Sequence, residues 1–303
     1  MTSQPQLADR NPWIAVALSL FCTGLGHLYS GKIVRGMGLF LASLLFVPLV
    51  GLGVVWGSAI AVQTTLFIAI SSYLVVLVIA SIDAWRISRS AGREYVLRDY
   101  NHLLVYGVFV LIGITYPWFA AYVVREFFIE AFVVPSASMA PTVLPGDHIL
   151  ASKLEYRLRS PQRFDIIVFR LPGSPERRYI KRLIGLPGDT VEVKNGRIRI
   201  NGQDVAQEPV RSEPREQFNG EIRWEMQGGR SHRVIIGDHE NGKSGEEFPP
   251  SVVPHGSYFV LGDNRDRSRD SRQFSFVPGP NVVGKVQCIY WPAQSWQRSG
   301  PIR

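Results

Sequence analysis

Cysteine is almost missing from this chain: Cys22 and Cys288 are the only two in 303 residues. That excludes a disulfide framework and a cysteine-rich zinc module. Charge is scarce as well, with 19% charged residues against 46% hydrophobic ones, a balance that excludes a disordered or collagen-like chain. The formal net charge is +8, yet no basic stripe is interleaved with aromatics, so nucleic acid is not an expected partner. No internal repeat with a period of about 20–50 residues occurs, which excludes a solenoid. What is present divides into an apolar half and a polar half.

Three stretches in the first half carry no ionisable acid or base: Met37–Val55, Gln63–Ile82 and Leu103–Val124. About 20 helical residues cover roughly 30 Å of hydrocarbon, so each is long enough to cross a bilayer. A fourth, Pro12–Leu25, is shorter and broken near Gly24 and Gly26, and reads as a short or re-entrant helix. The start does not read as a cleaved signal peptide, because Arg10 is a weak basic region and apolar segments keep returning. Arg86, Arg89, Arg93 and Arg98 mark Asp83–Asn101 as a cytoplasmic loop, and Lys32 and Arg35 belong on the same side. The link Gly57–Val62 and everything after Val124 then lie outside. The expected organisation is a multi-helix anchor over 1–124 and an extracytoplasmic domain over 125–303. Cys22 and Cys288 fall on different sides and stay unpaired. The Gly24–Gly31 segment reads as tight helix packing and a turn, and His27 has no His, Cys or acid near it in sequence to make a metal site.

The second half reads as β structure. Short β-branched runs, Asp165–Phe169, Thr190–Lys194, Arg197–Ile200, Val234–Ile236 and Tyr258–Leu261, are bounded by turn residues, and Asn195-Gly196 predicts a tight hairpin. Ala206–Pro250, rich in Glu, Arg, Gly and Pro, looks like an insertion built of a hairpin or long loops. The fold expected is a membrane-anchored α portion followed by an all-β domain with a large insertion. That half holds 26 basic and 21 acidic residues, a thin excess that suits a surface facing anionic lipid.

Four segments of this half could carry chemistry. Pro135-Ser-Ala-Ser-Met-Ala-Pro-Thr-Val-Leu-Pro-Gly-Asp147 sets two serines in a loop stiffened by three prolines, which would fix a nucleophile and its oxyanion donors. Arg163-Phe-Asp-Ile-Ile-Val-Phe169 is a core strand entered through a polar turn. Tyr179-Ile-Lys-Arg-Leu-Ile-Gly-Leu-Pro-Gly-Asp189 holds Lys181 in an apolar run, where a lysine either snorkels outward or is desolvated. Gly262-Asp-Asn-Arg-Asp-Arg-Ser-Arg-Asp-Ser-Arg272 alternates acids and arginines that can pair locally. Each alone reads more simply as a loop or a core strand, with snorkelling the simpler account of Lys181.

Together, in this order and spacing, the four resemble the signature boxes of type I signal peptidases, the S26 family of membrane-bound Ser-Lys endopeptidases, over roughly Arg125–Tyr290. The resemblance implies that Ser138 is the nucleophile and Lys181 its general base. It implies that Ser136 donates to the oxyanion hole beside the Ser138 N–H, and that Ser268 hydrogen-bonds and orients the lysine. Asp263, Arg265, Asp270 and Arg272 match an ionic cluster that holds the last box against the site. Val134, Pro135, Met139, Val143, Tyr179 and Ile180 would line shallow pockets for a small-x-small (Ala-x-Ala) cleavage site, core packing being the competing reading for each. The implied substrates are signal-peptide-bearing precursors at the bacterial cytoplasmic membrane, with lipid and the protein export machinery as further partners and no metal or cofactor. Ala131 and Phe164 stand where many members have proline and glycine. The anchor is also larger than the family's usual one or two helices. A self-cleaving repressor-type protease is disfavoured by the lack of a DNA-binding segment. An inactive scaffold is disfavoured by the joint presence of Ser138, Lys181 and Ser268.

The chemistry explains the pattern. A free lysine amine, with pKa about 10.4, is less than about 0.1% neutral at pH 7, and burial among apolar groups lowers that pKa. No carboxylate can sit in contact with such a base, since it would raise the pKa again. His148, His232, His239 and His255 match no catalytic position. Only 14 residues separate Val124 from Ser138, so the nucleophile lies within about 50 Å of the membrane exit, and Phe127, Phe128 and Phe132 suit a domain resting on lipid.

Overall fold

The computed structural model describes residues 7–302 apart from 57–58, 92–94, 99, 195, 211–219 and 238–246. The chain separates into a helical unit, mostly residues 1–126, and a β-rich unit, mostly 127–303.

In the helical unit, strands β1 (Leu7–Ala8) and β2 (Tyr95–Val96) pair, and the helices are α1 (Pro12–Phe21), α2 (Leu25–Tyr29), α3 (Ile33–Trp56), α4 (Ala59–Ala91) and α5 (Leu103–Phe127). Three segments, Ile33–Gly51, Thr64–Ala91 and Leu103–Phe127, are long and apolar enough to cross a membrane. Their exposed Leu45, Leu49, Phe67, Leu104 and Trp118 suit a lipid surround. The first segment ends as α1 after 10 residues, about 15 Å, too short to span. Gly24, at φ +92°, turns the chain into α2 where an added Cβ would stand 2.2 Å from the Gly36 carbonyl oxygen of α3. The expected loop from Asp83 is in fact helical as far as Ala91, because no glycine or proline interrupts the run before Gly92. The folding of α4 also supplies the acid that His27 lacked in sequence. Its Nε2 lies 3.0 Å from Asp83 Oδ2, across 56 residues. Gly57 and Ser58 of the expected outer link lie outside the described residues, and the rest of that link, 59–62, is the start of α4.

The β-rich unit contains β3 (Ile129–Val133), β4 (His148–Ser152), α6 (Glu155–Leu158), β5 (Ile166–Leu171), β6 (Ser174–Gly185), β7 (Thr190–Lys194), β8 (Arg197–Ile200), β9 (Gln203–Asp204) and β10 (Ala206–Pro209). It continues with β11 (Glu221–Gln227), β12 (Arg230–Ile236), β13 (Phe248–Val252), β14 (Ser257–Leu261), α7 (Ser271–Phe274), β15 (Val277–Pro278), β16 (Val282–Trp291) and β17 (Gly300–Pro301). The main sheet runs β15-β14-β6-β5-β16-β4-β3, with β17 added on β16, and all its pairings are antiparallel. A second sheet is β13-β7-β8-β9 and a third is β10-β11-β12. β7 and β8 pair Lys194 with Arg197, so only two residues turn the chain; Gly196 has φ +70°, and Asn195 lies outside the described residues. The third sheet falls in the Ala206–Pro250 segment.

Two cores result. One joins Val134, Met139, Val143, Ile149, Ile166, Val168, Val286 and Ile289 beneath the serine loop. The other joins Ile184, Val191, Val193, Ile198, Ile200, Phe259 and Leu261 between the first two sheets. Cys22 and Cys288 are both free and buried, and burial pushes the Cys288 thiol up to about 11.

Candidate active site

The segment between β3 and β4 is closed at its neck by backbone hydrogen bonds from Val134 N–H to Asp147 O (2.9 Å) and from Gly146 N–H to Val134 O (2.8 Å). Asp147 is fully buried and holds the loop further. Its carboxylate accepts from the N–H groups of Leu144 (2.8 Å) and Ala293 (2.9 Å) and from Arg298 (2.8 Å). Within this frame Ala137–Met139 forms one 3₁₀ turn, with Met139 packed into the core below. Ser138 therefore stands on an anchored turn, half-buried at its surface.

Lys181 comes to it from β6, a central strand paired with β5 and β14. Its Nζ lies 2.7 Å from Ser138 Oγ and 3.1 Å from Ile180 O. The side chain does not snorkel: Lys181 is 2% exposed. Burial pulls its pKa from 10.5 down to about 8, partly offset by the charges of Asp270 and Asp263. Ser136, exposed and extended, donates from Oγ to Ser138 Oγ at 3.2 Å. Ser268 is brought alongside but does not bond the lysine. Its buried Oγ has no hydrogen-bond partner and packs on Gly262, where an added Cβ would meet Ser268 Oγ at 2.1 Å and Ser138 O at 2.5 Å.

The ionic cluster forms, but only part of it pairs locally. Asp270 accepts from Arg272 (2.8 and 2.9 Å) and from the Gly262 N–H (2.9 Å). Asp263 instead takes Arg182 of β6 in a two-pronged bond (2.7 and 2.6 Å) and the Thr142 hydroxyl (2.5 Å). One carboxylate thus ties the serine loop, the lysine strand and the last box together. Burial alone would raise its pKa, but Arg182 outweighs burial and holds the carboxyl below its ordinary range. Arg265 reaches 40 residues away to Glu225 of β11. Local pairing fails for these two because the remote strands present the counter-charges already desolvated and in fork geometry.

Arg182, Thr142, Asp147 and Glu225 were not singled out by sequence. Arg182 did leave a signal: successive strand residues point to opposite faces, so two adjacent cations in an apolar strand cannot both reach solvent on one side. The Phe164 departure has a backbone meaning. Its φ is +70°, the region that favours glycine, and its carbonyl accepts from Arg182 Nη1 at 2.8 Å.

The six residues expected to line pockets divide. Val134, Met139 and Val143 are buried members of the core cluster below the loop. Pro135 is exposed, and Tyr179 and Ile180 are half-buried, so these three keep surface to offer.

The sequence profile of the family described as "Signal peptidase, peptidase S26" matches residues 105–291, more than half the chain. A signal peptidase I of Pseudomonas fluorescens is 36% identical over 201 residues, covering 57% of this chain and 69% of its own length. Those of Aquifex aeolicus and Bacillus caldolyticus are each 36% identical, covering 59% of this chain and 84% and 91% of their own. A solved signal peptidase I from Enterococcus faecalis V583 is 36% identical, covers 42% of this chain and 97% of its own, and superposes with a TM-score of 0.28. The chain belongs to the S26 signal peptidase family and is a peptidase, a hydrolase.

Proposed function

We propose that this protein removes signal peptides from membrane-borne precursors, cleaving after small-x-small sites by a serine–lysine dyad. The carrying observation is the 2.7 Å approach of the Lys181 Nζ, unpaired with any carboxylate and shifted to about 8, to Ser138 Oγ. At pH 7 a group of that pKa is neutral in about 10% of molecules, roughly 300 times more than a free lysine.

In this reading the neutral amine takes the Ser138 hydroxyl proton as Oγ attacks the scissile carbonyl carbon. The tetrahedral oxygen is met by the Ser136 hydroxyl and the Ser138 N–H. The Lys181 ammonium then returns its proton to the departing amine, which leaves an ester on Ser138. Water replaces the amine, Lys181 takes its proton, and the ester breaks to acid and free serine. A substrate strand laid beside Pro135 and Ile180 sends alternate side chains to one wall, which suits small residues two apart. An extracytoplasmic position for the β-rich unit is supported by the basic residues at Lys32, Arg35, Arg86, Arg89 and Arg98.

The test is processing of an Ala-x-Ala precursor by the purified full chain in detergent. Ser138→Ala and Lys181→Met should each lower turnover at least about 1,000-fold with folding intact. Turnover within tenfold of the parent by either variant refutes the dyad.

A further inference from the structure

The hairpin of β11 and β12 lies far from the two reacting groups in sequence, yet it is bolted to the backbone of the nucleophile. Ser138 O accepts from the Asn264 N–H at 3.1 Å. The residues on either side of Asn264 are held by Ile235 of β12, whose N–H donates to Asp263 O at 2.8 Å and whose carbonyl accepts from the Arg265 N–H at 3.0 Å. Ile235 and Asn264 thereby form a parallel bridge between the hairpin and the last box.

A side-chain clamp reinforces this backbone splice. Arg265, 2% exposed, donates Nη1 to Glu225 Oε1 at 2.7 Å and Nη2 to Oε2, while its Nε donates to Gly262 O at 3.2 Å. Gln207 of β10 adds a bond to Glu225 Oε1 at 2.9 Å. Glu225 is fully buried; burial alone would raise its pKa, but the Arg265 guanidinium outweighs burial and holds it below the carboxylate range. His232 Nε2 lies 3.2 Å from Glu225 Oε2 without hydrogen-bond alignment, and burial together with the Arg182 charge lowers its pKa. Neutral His232 leaves Arg265 as the cation that answers Glu225.

We infer that Glu225 is a positioning residue for the nucleophile: through Arg265 it fixes the Asp263–Arg265 segment, whose Asn264 N–H sets the orientation of the Ser138 turn. A surface hairpin that served only its own sheet would not need a desolvated carboxylate aimed at the box beside the catalytic turn. Nor would it need that carboxylate answered two-pronged by an arginine of the box. A loosened Asn264 bond lets the Ser138 turn rotate, and a displacement of about 1 Å at a reacting atom lowers the rate by about a hundredfold. The charges that shift Lys181 are those of Asp270, Asp263 and Arg272, so a change at Glu225 leaves the base its pKa while the geometry is lost.

This inference rests on Ser138 acting as nucleophile, and the test separates the two. The full chain in detergent micelles is assayed on an Ala-x-Ala precursor as parent, Ser138→Ala, Glu225→Gln and the charge-free pair Glu225→Gln/Arg265→Gln. The expected result is that Glu225→Gln lowers kcat by about 10- to 100-fold with KM within about threefold and the pH midpoint of kcat/KM unchanged. The double variant regains the thermal midpoint lost by the single one, because no unpaired buried charge remains, but it does not regain kcat. Parent-like kcat in Glu225→Gln, or recovery of kcat together with thermal midpoint in the double variant, overturns the positioning role while Ser138→Ala remains dead. An active Ser138→Ala overturns both readings.

Discussion

Around the reaction centre buried charge is neutralised, and at the centre it is not. Glu130, Asp147, Asp165, Glu225, Asp263 and Asp270 are buried carboxylates, and each meets an arginine or a lysine. Of the buried cations Lys181, Arg182 and Arg265 in the β-rich unit, two are answered by a carboxylate. Lys181 is answered by a hydroxyl and a carbonyl. The contrast is sharpest within β6, where Arg182 is gripped by Asp263 while its neighbour is left without a counter-charge. A paired girdle can position a site, and an unpaired amine can take a proton; the strand separates the two tasks by pointing adjacent residues to opposite faces. Asp263 and Asp270 still raise the Lys181 pKa from a distance, so they temper the shift that burial produces.

Breaking the girdle should have the larger effect on stability. Asp263→Asn strands the Arg182 guanidinium in the interior and should lower the stability of the β-rich unit by about 3–5 kcal/mol, read as its calorimetric transition in the detergent-solubilised chain. It should also move the activity midpoint below the parent's, because one of the charges that raises Lys181 is gone and Arg182 is left uncompensated. A drop in stability with no change of midpoint would mean that Asp263 does not feel the base.

Removing the unpaired amine should have the opposite sign. Below a pH of about 8 the amine is protonated in both folded and unfolded chains, and its burial costs roughly 3 kcal/mol at 1.36 kcal/mol per unit. Between about 8 and 10.5 the unfolded chain binds the extra proton, so parent stability rises with pH through that window. Lys181→Met should therefore stabilise the unit by up to about 3 kcal/mol at pH 7, with the gain shrinking above pH 8, while abolishing turnover. A variant less stable than the parent at pH 7 would place Lys181 among the paired, structural cations.

Much of this arrangement is written locally. The membrane segments are long uninterrupted apolar runs, β7 and β8 alternate cleanly, and Ser138 and Lys181 sit in boxes that resemble a family's. What is not local was not legible. β3 and β4 are not legible because short mixed runs such as His148–Ser152 become strands only beside their neighbours, and β16 is not legible because Gly284, Lys285 and Gln287 break its apolar run. The partners of Asp263 and Arg265 lie 81 and 40 residues away, so a charge-dense box could be recognised but not wired. The burial of Lys181 depended on the sheet that covers it, since an isolated lysine among isoleucines snorkels more readily. Phe164 was noticed as a departure, but its left-handed backbone and its bond to Arg182 needed the turn around it.

The proposed mechanism turns on the state of one amine, and the pH dependence of kcat/KM for cleavage of an Ala-x-Ala precursor by the parent chain reads it directly, because that ratio titrates groups of the free enzyme. Activity should rise about tenfold per unit at low pH, bend at a single midpoint near 8 and stay level above it. A midpoint near 10.5, the value of an ordinary exposed lysine, or a profile that is flat between about pH 6 and 10, would contradict it.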